Sequence, residues 1–288
     1  MNRSNYYNLR QQQGIALFQV LLIAAMLAVM LFALQQHSDK QVALAYAVQQ
    51  RTSVILEAET LQSQLELAIL TQNTQSQNGW NLHNAPFSMG DFTVTIQDFS
   101  GLYSISSLGN GHLTPLFIVL GMPEDQANSV VTALAQWQQK VQPGITAVKG
   151  RHAPIQSLVE LLQIPGITPA FYQQLAPLVT LYQRPFFNPM HAPEAILKAL
   201  LQPELAQQVV QLRQQGQLTQ NAFWRLTGIE ASDVISYSNG PGYRVVLRYQ
   251  DDTVGYTRLT EATLKANNDV PVTYWQRKRL DVAPDGVY

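Results

Sequence analysis

The chain has no cysteine among its 288 residues. That excludes a disulfide framework, a cysteine-ligated metal and a cysteine nucleophile together. Charge is scarce as well: Asp, Glu, Lys and Arg make up 13% of the residues, about half the usual share, and the formal net charge is −1. Such a balance gives neither a basic field for nucleic acid nor an acidic tail. The five histidines, His37, His83, His112, His152 and His191, are at least 29 residues apart, so no single helix or loop brings two to metal-ligand spacing. No Gly-x-Ser-x-Gly elbow, phosphate loop or dinucleotide fingerprint is present. With no candidate nucleophile or base, the chain reads as a protein that is not an enzyme.

What the sequence does have is one long apolar run. Ile15 to Leu34 is 20 residues with a single polar side chain, Gln19, and no charge. An α-helix of about that length crosses a bilayer core of about 30 Å. Ahead of it, Met1 to Gln13 carries Arg3 and Arg10 and no acid, which keeps the N-terminus on the cytoplasmic side and sends the rest across. A secretory signal has a shorter apolar region, of roughly 7 to 15 residues, with a small-residue cleavage site just behind it. Here the nearest such pattern, Ala45-Tyr46-Ala47, lies well past the run. A plain uncleaved anchor and a processed pilin-type helix both remain, and the position of Gly14 favours the second. Glycine stands at the polar-to-apolar boundary, the apolar residues begin at Ile15, and Phe18 follows closely.

Helical periodicity continues behind the anchor. Lys40 to Gln72 lacks Gly and Pro, and Ile55, Ala58, Leu61, Leu65 and Ala68 share one face, so one helix is expected from Ile15 to about Thr71. Asn73 to Gly90 reads as a loop. Phe92, Val94 and Ile96 alternate with polar residues, and Asp98-Phe99-Ser100-Gly101 is expected to turn that strand into a hairpin with Leu102 to Ser106. Helices are expected over 116–120, 125–140, 158–162, 169–179, 192–201, 204–214 and 220–227, with breaks at Gly121-Met122-Pro123 and Pro143-Gly144. Alternation returns in Tyr243 to Tyr249, 254–264 and 272–279, with Asp251-Asp252 as a solvated turn. Strands on both sides of a helical block imply an α+β fold: a long N-terminal helix on an antiparallel sheet, with a large all-helical inserted domain. The expected division is 1–14 leader, 15–72 long helix with 15–34 transmembrane, 73–110 and 235–288 the α+β domain, and 111–234 the insertion.

Gly14 and its surroundings resemble the prepilin peptidase site of type IV pilins and pseudopilins, which are cut after the glycine and keep the apolar helix. Cutting there makes Gln19 the fifth mature residue, where most pilins carry glutamate. An uncharged residue at that position resembles one branch, the general secretion pathway protein K (GspK) family of large minor pseudopilins in the type II secretion system. Three stretches carry the likeness: Val94 to Gly101, Ser157 to Ile167, and Phe187 to Leu197. In the third, Asn188 fits the family pattern while Met190 and His191 replace its Asn and Thr.

The resemblance implies cleavage between Gly14 and Ile15, N-methylation of Ile15, and a single-pass inner-membrane protein with its C-terminal domain in the periplasm. It implies a place at the pseudopilus tip, in pseudopilus initiation and in export of folded proteins across the outer membrane. The implied partners are I- and J-type minor pseudopilins, the major pseudopilin, prepilin peptidase and the inner membrane, with no nucleic acid expected and no cofactor. Some relatives bind calcium with acids after a helical-domain tryptophan; Trp137 is followed here by Gln138, Gln139 and Lys140, so ligands are not identifiable. A different reading comes from Ile164-Pro165-Gly166-Ile167, which resembles the helix-hairpin-helix of membrane-anchored DNA receptors. Phosphate binding draws on Lys and Arg, and only Lys149, Arg151 and Arg184 are near.

Replacing Gly14 by a bulkier residue is expected to block processing. Intact mass of the membrane-extracted chain, from cells with and without prepilin peptidase, checks this: the native chain should begin at Ile15 only when the peptidase is present, and the variant should keep its full mass in both.

Overall fold

A computed structural model describes residues 6–71, 80–105, 112–138, 150–151, 153–182, 186–251 and 254–280. The chain divides into two compact units, Met1–Glu59 with Asp251–Val254, and Thr60–Gln250 with Gly255–Tyr288. Helix α1 (Tyr6–Leu70) begins nine residues before the expected Ile15. In the first unit its apolar residues from Leu17 to Leu34 are exposed. Asp251 in that unit is more than a solvated turn residue. Its carboxylate accepts from Gln50 Nε2 at 2.9 Å and from the Val254 backbone N–H at 2.6 Å, which ties the turn to the helix. Asp252 lies outside the described residues.

The second unit opens with the last turns of α1. Leu61, Leu65 and Ile69 are buried there, so the inward stripe ends on Ile69 rather than on the expected Ala68, which is half-buried. The sheet is antiparallel with order β1-β2-β5-β6-β7: β1 (Phe87–Met89), β2 (Phe92–Asp98), β5 (Gly242–Gln250), β6 (Gly255–Leu264) and β7 (Val272–Leu280). Along β2 and β5 the side chains alternate in burial, with Phe92, Val94, Ile96, Tyr243, Val245 and Leu247 inward. Tyr274 of β7 donates its hydroxyl to Glu66 of α1 at 2.9 Å, and Gln62 donates to the same carboxylate at 2.7 Å. Those bonds satisfy a buried acid where helix meets sheet. The expected closure of the sheet across the insertion is seen in the β2–β5 register, which runs from Thr93 opposite Arg248 to Asp98 opposite Tyr243.

The expected hairpin after Asp98 does not form. Both sides of β2 are already occupied, one by β5 and the other by β1 and by a bridge from His83 to Gln97. Phe99–Gly101 instead makes a single 3-10 turn, and β3 (Tyr103–Ser104) pairs in parallel with β4 (Val179–Thr180). The insertion is therefore not all-helical, and the expected loop before Phe92 contains β1. Its helices are α2 (Leu113–Val119), α3 (Glu124–Gln138), α4 (Pro169–Leu175), α5 (Glu194–Leu200), α6 (Pro203–Gln214) and α7 (Gln220–Thr227). Leu158–Gln163 is 3-10 rather than α-helical, and Val179 belongs to β4 rather than to α4. The expected break at Pro143-Gly144 lies outside the described residues.

One apolar core holds these pieces. On α3 the buried positions Ala127, Val130 and Leu134 recur every three or four residues, and they join Leu116 and Phe117 of α2, Ile196 and Leu197 of α5, Val209 of α6 and Phe223 of α7. Complete burial of a Leu or Phe contributes about 1.5–3 kcal/mol, and core positions of this kind bind the short helices together. The Ile164 to Ile167 hairpin is part of that core, with both isoleucines buried. Gly166 sits at φ 94°, and a Cβ there would lie 2.6 Å from Val130 Cγ2. The hairpin reaches α3 because glycine has no side chain.

Gly166→Ala meets both the left-handed backbone and the Val130 methyl. We expect a loss of about 2–3 kcal/mol in unfolding free energy, measured by urea titration against the parent chain.

Candidate functional site

The densest polar cluster lies where the chain leaves the sheet, crosses the insertion and returns. Asp98, the last residue of β2, has a fully buried side chain. Its Oδ1 accepts from the Ser100 N–H at 2.7 Å, and its Oδ2 accepts from the Gly240 N–H at 2.8 Å and from His191 Nδ1 at 2.9 Å. The aspartate thus caps the outgoing turn, holds the returning strand and orients an imidazole. Asn188 completes the frame: its Oδ1 accepts from the Met190 N–H at 3.0 Å, its Nδ2 donates to the Ser238 carbonyl at 3.0 Å, and its N–H donates to the Ser100 carbonyl at 2.8 Å. Gln97 Nε2 donates to the carbonyls of Asp98 and His191 at 2.7 and 3.0 Å. The backbones pass so closely that a Cβ on Gly101 would lie 2.3 Å from the His191 carbonyl oxygen.

Charge next to the cluster is handled by burial. Arg213 of α6 donates to the carbonyls of Ala192 and Met190, each at 2.9 Å, and burial pulls it down to about 10 against the opposing pull of Glu194. It remains a cation at neutral pH. Burial holds His83 far below the ordinary imidazole value, at about 3, with the Arg213 and His191 charges acting the same way. Two histidines 108 positions apart, His83 and His191, therefore come within electrostatic reach of each other, brought together by the fold rather than by one helix or loop. The sequence signal for this was the departure at His191 inside the Phe187 to Leu197 stretch.

An Asp–His pair is also how hydrolases orient a general base. Here the aspartate is closed off, and neither Asp98 nor His191 lines the groove beside the sheet. Nor does the cluster suit calcium, which takes six to eight oxygen ligands: both Asp98 oxygens are already spent on backbone N–H groups. Among the described residues no group of three His, Asp or Glu side chains is placed to hold a metal. Of the positions after Trp137, Gln138 is buried and donates to the Ile105 carbonyl at 2.9 Å, while Gln139 and Lys140 lie outside the described residues.

Gly14, Ile15 and Gln19 all lie within α1. Gln19 is exposed; the side chains at 14 and 15 lie outside those described. The apolar window near the N-terminus has a mean hydropathy of 2.7 with none of it buried, so the helix is long and apolar enough to cross a membrane. Of the basic residues near the Pro165-Gly166 hairpin, Arg151 is ion-paired with Glu160. Lys149 and Arg184 lie outside the described residues, as does His152.

The outer face of the sheet forms one wall of a groove of about 800 Å³ whose other wall is the insertion. Sheet residues Thr95, Arg244, Arg248, Leu259, Trp275 and Lys278 face Leu158, Val159, Tyr172 and Tyr182 across it. Arg244 Nε donates to Glu261 at 2.7 Å, and Tyr182 packs on Trp275 with ring centroids 4.7 Å apart.

Residues 102–184 match the profile of the family described as Type II secretion system (T2SS), protein K. No curated protein matches the chain. Among solved structures, a chain in the GspK-GspI-GspJ complex from the type 2 secretion system of enterotoxigenic Escherichia coli is similar in fold. The similarity has a TM-score of 0.51 at 14% identity and covers 81% of this chain and 98% of that one. The family match and the fold match together support the resemblance to protein K of the type II secretion system.

His83 stays neutral in the folded chain but gains a proton below pH 6.5 once unfolded, so its contribution is intact above that pH and is lost as pH falls toward 3. The slope is up to about 1.4 kcal/mol per pH unit. Thermal melts between pH 7 and 4 should show His83→Gln with a shallower fall in Tm than the parent.

Proposed function

We propose that this chain is a GspK-like minor pseudopilin that works at the tip of a type II secretion pseudopilus. The single observation carrying this reading is the protein K match of residues 102–184, set in a fold shared with a chain of the GspK-GspI-GspJ complex. The exposed apolar stretch of α1 supports a membrane anchor, because side chains such as Leu21, Val29 and Phe32 need lipid or neighbouring helices around them. In this reading residues 1–14 are a leader removed between Gly14 and Ile15, Ile15 is N-methylated, 15–34 span the inner membrane, and the rest is periplasmic. The α+β domain is formed by 73–110 with 235–288, and 111–234 is the domain inserted into it.

An uncharged Gln19 fits the terminal place. A glutamate at the fifth mature position pairs with the N-terminal amine of a neighbour. A subunit with none above it has no such charge to meet. The chain would join I- and J-type minor pseudopilins, start assembly of the major pseudopilin, and support export of folded proteins across the outer membrane.

Two measurements test this. Co-expression with I- and J-type minor pseudopilins should give a stable complex, and deletion of the gene should abolish both pseudopilus formation and export. Unimpaired export, together with no complex, would refute the assignment.

A further inference from the structure

The groove between the outer sheet face and the insertion has the dimensions and chemistry of a peptide site. Its sheet wall runs from Thr95 on β2 through β5 and β6 to Lys278 on β7. That is three strand spacings, about 14 Å, or roughly four residues of extended chain. A short extended segment matches that span.

The lining selects for charge as well as shape. Arg244 is neutralised by Glu261. Arg248 and Lys278 are exposed and have no acidic partner among the described residues, in a chain whose net charge is −1. Beside them stand two large apolar side chains left open, Trp275 at 47% and Val159 at 55% exposure. Unpaired cations next to uncovered apolar surface complement a chain that carries carboxylates and aliphatic groups in turn.

We propose that this groove binds an extended segment of a partner protein in which acidic and apolar side chains alternate. Carboxylates meet Arg248 and Lys278, and the apolar side chains cover Trp275 and Val159. The proposal does not rest on the secretion reading, since it concerns only the lining of the groove.

The test is fluorescence polarisation on the detergent-purified full chain with three labelled hexapeptides, alternating glutamate with leucine, lysine with leucine, and glutamate with serine. The first should bind at least tenfold more tightly than the other two. Arg248→Glu combined with Lys278→Glu should weaken it at least tenfold with Tm unchanged, and Trp275→Ala at least threefold; Arg248→Gln with Lys278→Gln serves if the reversal impairs folding. Equal binding of the lysine peptide, equal binding of the serine peptide, no binding at all, or indifference to the charge changes overturns the proposal. So does a dimer in sedimentation that the glutamate–leucine peptide fails to dissociate, which would mean that a second copy fills the groove.

Discussion

A buried carboxylate at the end of one strand sets the path of everything between residues 98 and 240. Asp98 accepts from the turn that leaves the sheet, from the segment that returns to it, and from a histidine in the middle of the excursion. An ionised group without these donors would cost several kcal/mol to bury, so the three segments are required together. The bonds to Asn188 and Arg213 extend the same requirement to the start of α5 and to α6. An insertion of well over 100 residues can thus sit on a five-stranded sheet without a disulfide. Its ends are fixed by polar satisfaction and its interior by apolar packing.

Much of this was readable beforehand. The apolar run follows from its length and lack of charge, and the uninterrupted helix and the three C-terminal strands from periods of 3.6 and 2. The closure of the sheet followed too, since strands stand on both sides of a helical block. The Asp98 turn was visible only as a local signal. Asp-x-x-Gly reads as a hairpin corner, and nothing within ten residues reveals that β5, with nine residues to offer, is a better partner for β2 than a two-residue β3. Pairing at long range competes with pairing at short range, and here burial of Leu102, Tyr103 and Ile105 in the insertion core decided it.

The site suffered from the same blindness to distance. Spacing arguments count residues along the chain, so five scattered histidines looked unrelated, yet the fold sets His83 on an edge of β2 and His191 on the Asp98 carboxylate. Asn188 was noticed because of the family pattern, whereas its partner Ser238 and the anchoring Gly240 had no signal beyond a run of turn-forming residues. The hairpin at Ile164 to Ile167 shows the converse. Its sequence invites a phosphate, but its isoleucines and the missing Cβ of Gly166 are used to approach α3.

Scarcity of charge makes the placement of each charge informative. Arg213 is spent on helix-capping carbonyls, Arg151 on Glu160 and Arg244 on Glu261, so these cations maintain structure and offer little to a ligand. Cations left on a groove wall stand out against that economy. The apolar surface divides in the same way: the insertion core is closed, while α1 from Leu17 to Leu34 and the patch around Trp275 and Val159 are open. Large contiguous apolar surface of this kind stays uncovered where something else supplies the covering. For the helix the uniform lack of charge suits lipid or packed neighbouring helices, whereas for the groove the adjoining cations suit an acidic chain.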